Sequence, residues 1–203
     1  MPALKFVRTV WESFRATSGL EPRLLDGLKV THVVPGRVKF ELPIEKHHTN
    51  RLKILHGGTI ASMVDLGGSL AVASRGLFAT GVSTDLNVTY LSSGGQIGDL
   101  VKAEVSCDKF GKTLAFTSIL FKNHKDEVFA RGSHTKYISL AWKDPNNITE
   151  ELSPKPTKGK EGSSPPEEKN VDGGKKKEEG KEKPGPQDEK VPEGFDKLPN
   201  VPS

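Results

Sequence analysis

The most constraining feature of this 203-residue sequence is the stretch from Asn50 to Ser83, where a loop containing glycine leads into a long apolar segment. Residues 60–77 are mainly Ala, Val, Leu, Ile, Met, Gly and Ser, with no proline. A helix that is apolar on nearly every side belongs inside a protein. The short length and the Gly67-Gly68 pair argue against a membrane span. The stretch therefore predicts a buried central helix around which the chain packs.

One carboxylate, Asp65, lies in the middle of this predicted helix, between Val64 and Leu66. Burial of an unpaired carboxylate costs several kcal/mol, so such a group is normally paired or takes part in chemistry. No other residue of the helix is charged before Arg75, which favours a functional role for Asp65. A structural hydrogen bond in an interface is the alternative.

The composition changes near Trp142, and this change predicts two regions. Residues 1–142 carry apolar periodicity and a net charge of +6, and about 140 residues suffice for one core. Residues 143–203 are rich in Lys, Glu, Pro and Gly, with twelve Lys against fourteen Asp or Glu. Such a segment cannot bury enough apolar surface to offset chain entropy. We therefore expect a folded domain at 1–142 and a disordered tail at 143–203.

The folded region shows one order of secondary structure. The predicted elements are an amphipathic helix at 3–17, strands at 28–34 and 37–43, the central helix, and strands at 81–91, 99–109, 113–122 and 128–138. Turn residues between the last four strands indicate hairpin connections. An α+β fold, in which one antiparallel sheet curls around one helix, satisfies this order with short, uncrossed connections.

Several classes of protein are disfavoured. A single cysteine, Cys107, excludes an internal disulfide and a cysteine-based metal cluster. His47, His48 and His56 follow no metal-binding spacing and are expected to be surface or loop histidines, so no metal or cofactor is predicted. No basic stripe with interleaved aromatics supports nucleic-acid binding, and no bilayer-length apolar run supports membrane insertion. The first fifteen residues, three of them basic and one acidic, leave a cytoplasmic or a mitochondrial location open.

Three motifs occur in a fixed order along the chain. They are Asn50 with His56-Gly57-Gly58 and Asp65, then GVSTDLNVTYL at 81–91, then GKTLAFTS at 111–118. Together they resemble the hotdog-fold acyl-CoA thioesterases, in particular the branch described as thioesterase superfamily member 2-like, which is related to the bacterial phenylacetic-acid-pathway thioesterases. The resemblance covers roughly residues 3–138.

The resemblance implies an acyl-CoA substrate, a hotdog fold and an assembly. In such proteins the sheet wraps the central helix, two protomers join their sheets edge to edge in a homodimer, and two dimers usually form a homotetramer. The active sites lie at the dimer interface. The acyl chain is buried there, and the CoA nucleotide runs out over the surface.

The resemblance also implies roles for five residues. The Gly57 N–H and the Asn50 side chain would polarise the thioester carbonyl, and His56 would support their loop. Asp65 would be the general base or nucleophile, and Ser83 would help to hold the attacking water. Independently, a helix N-terminus offers unpaired N–H groups and a positive dipole end, and glycine lets a ligand approach closely. A plain loop-to-helix turn and an ordinary strand serine remain the alternatives for Gly57 and Ser83.

Two further expectations concern the chemistry of the site. Gly57 and Asp65 are eight residues apart, about 12 Å along a helix, so both cannot act on one carbonyl from the same helix. Asp65 is therefore expected to serve a site that the other protomer completes. Ser83 has no obvious histidine partner in a Ser–His–Asp pattern and is not expected to be a nucleophile.

The CoA phosphates require cations, and basic residues of the second half of the domain are candidates. These are Lys109, Lys112, Arg131 and Lys136. Two other functions remain open beside the hydrolase: a catalytically weak acyl-CoA-binding or partner-docking module on the same fold, and a hotdog dehydratase. The dehydratase is disfavoured because the expected Asp–His pairing is not visible in the sequence.

Overall fold

A computed structural model describes residues 2–153, and the structural statements below concern this part of the chain. The helices are α1 (Pro2–Thr17), α2 (Glu21–Leu24), α3 (Gly57–Ala73) and α4 (Thr149–Leu152). The strands are β1 (Lys29–Val34), β2 (Arg37–Pro43), β3 (Val82–Tyr90), β4 (Leu100–Phe110), β5 (Leu114–Lys122) and β6 (Val128–Tyr137). Short 3-10 turns lie at Lys46–His48 and Ala141–Lys143. Among these residues no helix has the length and apolar character needed to cross a bilayer.

The six strands form one antiparallel sheet in the order β1-β2-β4-β5-β6-β3. Helix α3 packs across the inner face of this sheet and contacts β2 to β6. The predicted hotdog arrangement, with a curled antiparallel sheet around one central helix, is confirmed. The predicted order of elements is also confirmed, although α3 begins three residues before the apolar segment and ends at Ala73.

Glycines in α3 allow the helix to lie close to the sheet. A Cβ atom on Gly67 would stand 2.9 Å from the Ile119 side chain and 3.3 Å from the Phe40 ring. Alternate residues of β4 and β5 are buried, as expected for strands that have one face packed against α3. A larger residue at position 67 would therefore force the helix away from the sheet or displace these side chains.

Helix α3 is not apolar on every side. Ala61, Ser62 and Asp65 are partly exposed, and the Asp65 side chain retains 46% of its accessible surface. The expectation of a buried Asp65 is therefore wrong for the single protomer. The exposed stripe recurs every three to four residues, as one face of a helix must. Asp65 lies on this open face, where its carboxylate is accessible.

The folded unit continues beyond the predicted boundary at Trp142. Asn147 accepts a hydrogen bond from the Phe78 N–H at 2.8 Å, and the Ile148 N–H donates to the Gly76 carbonyl at 2.8 Å. Leu152 in α4 is buried against the core. The boundary at 142 is thus too early, since residues 143–153 pack on the domain. The predicted disorder of the remaining tail lies outside the described residues.

We expect truncation after Trp142 to destabilise the domain and truncation after Ser153 to leave its stability unchanged. The first truncation removes the buried Leu152 side chain and the Asn147 hydrogen bonds, a loss of at least about 2 kcal/mol. Thermal unfolding of both truncated chains beside the full-length protein measures the difference. Equal Tm values for all three proteins would contradict a structural role for residues 143–153.

Candidate active site

The first half of the candidate site is the N-terminus of α3. The His56 side chain caps this helix, because its Nδ1 accepts a hydrogen bond from the Gly58 N–H at 2.8 Å. The His56 carbonyl accepts from the Ile60 N–H at 3.2 Å. The Gly57 N–H makes no hydrogen bond within residues 2–153. An unpaired donor therefore remains at the positive end of the helix dipole.

Tyr90, for which the sequence predicts no role, holds the same turn from strand β3. Its hydroxyl donates to the Gly57 carbonyl at 3.0 Å, and its ring lies 3.3–3.4 Å from where a Cβ on Gly57 would stand. The peptide between Gly57 and Gly58 is thus fixed at its N–H by His56 and at its carbonyl by Tyr90. The signal available in the sequence was the position of Tyr90 inside the 81–91 motif.

Asn50 lies in a short loop that leads to α3. A backbone bridge between Thr49 and Leu55 closes this loop. The Asn50 Oδ1 atom accepts from the Leu52 N–H at 2.9 Å, which forms an Asx turn. Its Nδ2 makes no hydrogen bond within the described chain. Because the oxygen is engaged with the backbone, the amide NH₂ is the group left to donate to a ligand.

The second half of the site is a cluster of Asp65, Ser83 and His134. The Ser83 hydroxyl lies 2.6 Å from Asp65 Oδ1, and His134 Nε2 lies 2.9 Å from Ser83 Oγ and 3.2 Å from the same carboxylate oxygen. The expectation that Ser83 has no histidine partner is therefore wrong. His134 lies on β6, which pairs directly with β3. Because 51 residues separate Ser83 from His134, no local sequence pattern predicts their contact.

The geometry fixes the direction of proton donation in this cluster. A 2.6 Å contact between two oxygens needs a hydrogen atom, and an ionised carboxylate has none to give, so Ser83 donates to Asp65. His134 Nε2 must then carry a hydrogen that it donates toward Ser83 and Asp65. In a Ser–His–Asp triad the serine instead donates to the histidine. The arrangement leaves Asp65, rather than Ser83, as the proton acceptor of the cluster.

Burial and a neighbouring cation control the charge of this cluster. His134 is 1% exposed, and its burial lowers the pKa of the imidazole, assisted by Lys136 and opposed by Asp65. Lys136 lies opposite Ser83 in the β3–β6 register and is 3% exposed. Burial lowers the pKa of the Lys136 ammonium, while Asp65 acts in the opposite direction. Lys136 was predicted to bind CoA phosphates. It is instead buried, and it lies next to the cluster on strand β6.

The structure separates the other predicted residues into distinct regions. Asn50, His56 and Gly57 gather at the start of α3, whereas Asp65 and Ser83 meet eight residues further along the helix, about 12 Å away. Three of the predicted cations are exposed on the sheet and its β4–β5 turn: Lys109, Lys112 and Arg131.

We expect the free energy of unfolding to decrease as the pH falls below about 6.5, the pKa of histidine in the unfolded chain. A lowered pKa means that folded His134 stays neutral where the unfolded histidine, with a pKa of about 6.5, takes up a proton. The contribution of His134 to the free energy of unfolding is therefore complete above about pH 7 and declines as the pH falls from about 6.5 toward the lower folded pKa. Tm values between pH 8 and pH 5.5 measure the slope.

The variant His134→Gln is the control for this slope, because glutamine donates a hydrogen bond and does not titrate. Its Tm should change less across the same pH interval than that of the wild-type protein. An identical slope in both proteins would show that His134 is not the titrating group.

Comparisons with known proteins identify the family of this chain. The model of the family described as "Thioesterase superfamily" matches residues 52–130. A relative from Schizosaccharomyces pombe is 48% identical over 144 residues, which cover 71% of this chain and 89% of the relative. The chain belongs to the thioesterase superfamily.

Two members of the thioesterase superfamily extend the comparison. Human acyl-coenzyme A thioesterase 13 is 37% identical over 117 residues, covering 57% of this chain and 83% of the human protein. The crystal structure of zebra fish thioesterase superfamily member 2 has a TM-score of 0.61 and 33% identity, covering 66% of this chain and 96% of that one. As a member of the thioesterase superfamily, this chain is a thioester hydrolase. The matched segment 52–130 contains Gly57, Asp65 and Ser83 but excludes Asn50 and His134.

Proposed function

We propose that this protein hydrolyses acyl-CoA thioesters to a free acid and CoA. The observation that carries the proposal is the Asp65–Ser83–His134 cluster, which presents an accessible carboxylate held at one oxygen by the Ser83 hydroxyl. That hydrogen bond orients Asp65 and leaves its second oxygen available to a water molecule. The name of the human relative, acyl-coenzyme A thioesterase 13, supports the substrate class.

In the proposed reaction Asp65 is the general base. A water molecule attacks the thioester carbonyl carbon while Asp65 takes one of its protons. The tetrahedral intermediate then expels the CoA sulfur, and the proton held by Asp65 passes to that thiolate. The products are the carboxylic acid and the CoA thiol, and Asp65 returns to its ionised form. Ser83 and His134 position the carboxylate and form no covalent bond.

The carbonyl oxygen needs donors where its negative charge develops. The Gly57 N–H and the Asn50 Nδ2 lie near the start of α3, and neither makes a hydrogen bond within the described chain. Preorganised donors of this kind stabilise an oxyanion strongly, and loss of one typically costs about 10²–10³ in rate. We assign the oxyanion hole to these two groups, with His56 as the residue that caps their helix.

One protomer does not hold both halves of the proposed site together, since about 12 Å of helix separates Gly57 from Asp65. We therefore propose a homodimer in which Asp65 of one copy faces the Gly57 turn of the other. Strand β3 supports this assembly, because it lies at an edge of the sheet and exposes apolar side chains such as Val82, at 63%. Exposed apolar side chains on the outer face of the sheet would allow two such dimers to pack into a homotetramer. They are Phe116, Leu120 and Tyr137.

The phosphates of CoA would bind to the exposed cations Lys109, Lys112 and Arg131, for which no ion pair is formed within residues 2–153. Lys136 is withdrawn from this role because it is buried beside Asp65. A cytoplasmic or mitochondrial location stays a prediction.

Release of free thiol from short, medium and long acyl-CoAs tests the proposal directly. We expect hydrolysis, with the preferred chain length read from the same panel. Binding of acyl-CoA without thiol release would overturn the hydrolytic assignment and favour a binding module on the same fold. Dissociation of the dimer at high dilution should lower the activity per protomer.

A further inference from the structure

His48 is a buried histidine that the proposed mechanism does not use. It ends the turn Lys46–His48, and its side chain is fully buried, so the expectation of a surface or loop histidine is wrong for this residue. Its ring Nδ1 accepts a hydrogen bond from the Glu45 N–H at 2.9 Å, and its Nε2 lies 2.7 Å from the Leu24 carbonyl oxygen.

These two contacts define the protonation state of the ring. A backbone N–H can only donate, so Nδ1 must be bare, and a carbonyl can only accept, so Nε2 must carry the hydrogen. The neutral Nε2–H tautomer satisfies both contacts. The ring thereby joins α2, through Leu24, to the turn that precedes the active-site loop.

The main chain of His48 holds the other side of that loop. Its carbonyl oxygen accepts from the His56 N–H at 2.9 Å and from the Thr59 hydroxyl at 3.1 Å. The seven-residue loop 49–55, which contains Asn50, therefore begins directly after His48 and ends at His56, which is hydrogen-bonded to the His48 carbonyl. Asn50 follows His48 by two residues, and Gly57 directly follows His56.

We propose that His48 is a positioning residue that sets the relative placement of the two oxyanion donors, the Asn50 side chain and the Gly57 N–H. The inference rests on the proposed hydrolysis of acyl-CoA. Loss of the two ring contacts would free the His48 backbone, whose carbonyl anchors both the end of the loop and the first turn of α3. The donors would then separate from the position of the developing oxyanion, where small displacements reduce the rate strongly.

The charges around the ring favour the required neutral form. Burial lowers the pKa of His48, and the adjacent His47, whose ring centroid lies 3.9 Å away, acts in the same direction. The Leu24 carbonyl and the Glu45 carboxylate act in the opposite direction, more weakly. The Nδ1 acceptor is therefore retained at neutral pH.

The kinetic test compares His48→Asn with His47→Asn, two adjacent imidazoles of which one is buried and one is exposed. Asparagine at 48 can still accept from the Glu45 N–H but cannot reach Leu24. We expect kcat of His48→Asn to fall about 10- to 100-fold, with KM changed less than about threefold, because oxyanion stabilisation acts in the transition state. The His47→Asn variant should retain its kcat. A loss in His48→Asn no larger than in His47→Asn, or a loss confined to KM, would overturn the inference.

Two further measurements separate failure of this inference from failure of the proposed function. Thr59→Val keeps the side-chain volume and removes one bond to the His48 carbonyl, and we expect its kcat to fall about fivefold. An unchanged kcat in that variant overturns the inference even if His48→Asn does not fold. Imidazole ¹⁵N NMR of the wild-type protein should show His48 as the Nε2–H tautomer, and the opposite tautomer would overturn it. Absence of thiol release by the wild-type protein would refute the proposed hydrolysis, whereas the NMR result would still decide the ring arrangement.

Discussion

Replacement of Asp65 by asparagine is expected to lower kcat for acyl-CoA hydrolysis by about 10²–10⁴-fold, the range that a general base contributes. Asparagine keeps the shape of the side chain, and its Oδ1 can still accept from the Ser83 hydroxyl. It cannot take a proton from water. Because asparagine keeps the hydrogen bond from Ser83, the variant should fold, and its Tm reports the cost of removing the negative charge near buried Lys136. Thiol release and thermal unfolding, measured on the same preparation, separate the two effects.

Asp108 offers a matched control for this variant. It also accepts a hydrogen bond from a serine, Ser118, at 3.0 Å, and this pair is exposed on the sheet. Asp108→Asn removes the same charge and weakens the same kind of contact away from α3. Its kcat should match that of the wild-type protein. Full activity in Asp65→Asn, or an equal loss in Asp108→Asn, would refute the assignment of Asp65 as the base.

Replacement of Gly68 by alanine is expected to damage stability and catalysis together. A Cβ on Gly68 would stand 2.3 Å from His134 Nδ1 and 2.9 Å from Thr117 Oγ, distances that real atoms do not adopt. His134 is enclosed by the core and would have to move away from Ser83. Such overpacking costs about 1–3 kcal/mol. Displacement of His134 by about 1 Å should lower kcat about 10²-fold.

Gly19→Ala controls for the substitution itself, because no atom lies within 4 Å of a Cβ at that position. Its Tm and kcat should equal those of the wild-type protein. Urea unfolding and thiol release measure both variants. A Gly68→Ala protein with wild-type stability and activity would show that α3 and β6 can separate without disturbing the cluster.

Periodicity in the sequence was enough to predict the fold. Strands such as Arg37–Pro43 alternate buried and exposed residues, and the apolar run after Ile60 becomes the helix on which the sheet closes. The end of the domain was misplaced because α4 is a four-residue helix with one buried side chain, Leu152. So short an element has no detectable period. Its position is fixed by long-range hydrogen bonds to Gly76 and Phe78 instead.

Helix physics alone drew attention to Asp65, a carboxylate in an apolar helix, and to the free N–H groups beside Gly57. The roles predicted for Asn50, His56 and Ser83 came from the family resemblance instead. His134 and Lys136 reach the cluster through the pairing of β3 with β6, and one sequence cannot specify that register. The charge of Lys136 suggested an exposed residue, whereas its burial depends on which face of β6 turns inward.

The exposed edge strand β3 also affects the tendency of the chain to aggregate. In the described part of the chain β3 pairs on one side alone, so its other side presents open backbone donors and acceptors over nine residues. Such an edge is a template for uncontrolled strand addition, and proteins usually blunt it with charges or proline. Strand β3 carries one charge, Asp85, and no proline. A second copy seated on this edge, as in the proposed homodimer, would remove that template for aggregation. Slow assembly would leave new chains exposed to chaperones and proteases for longer.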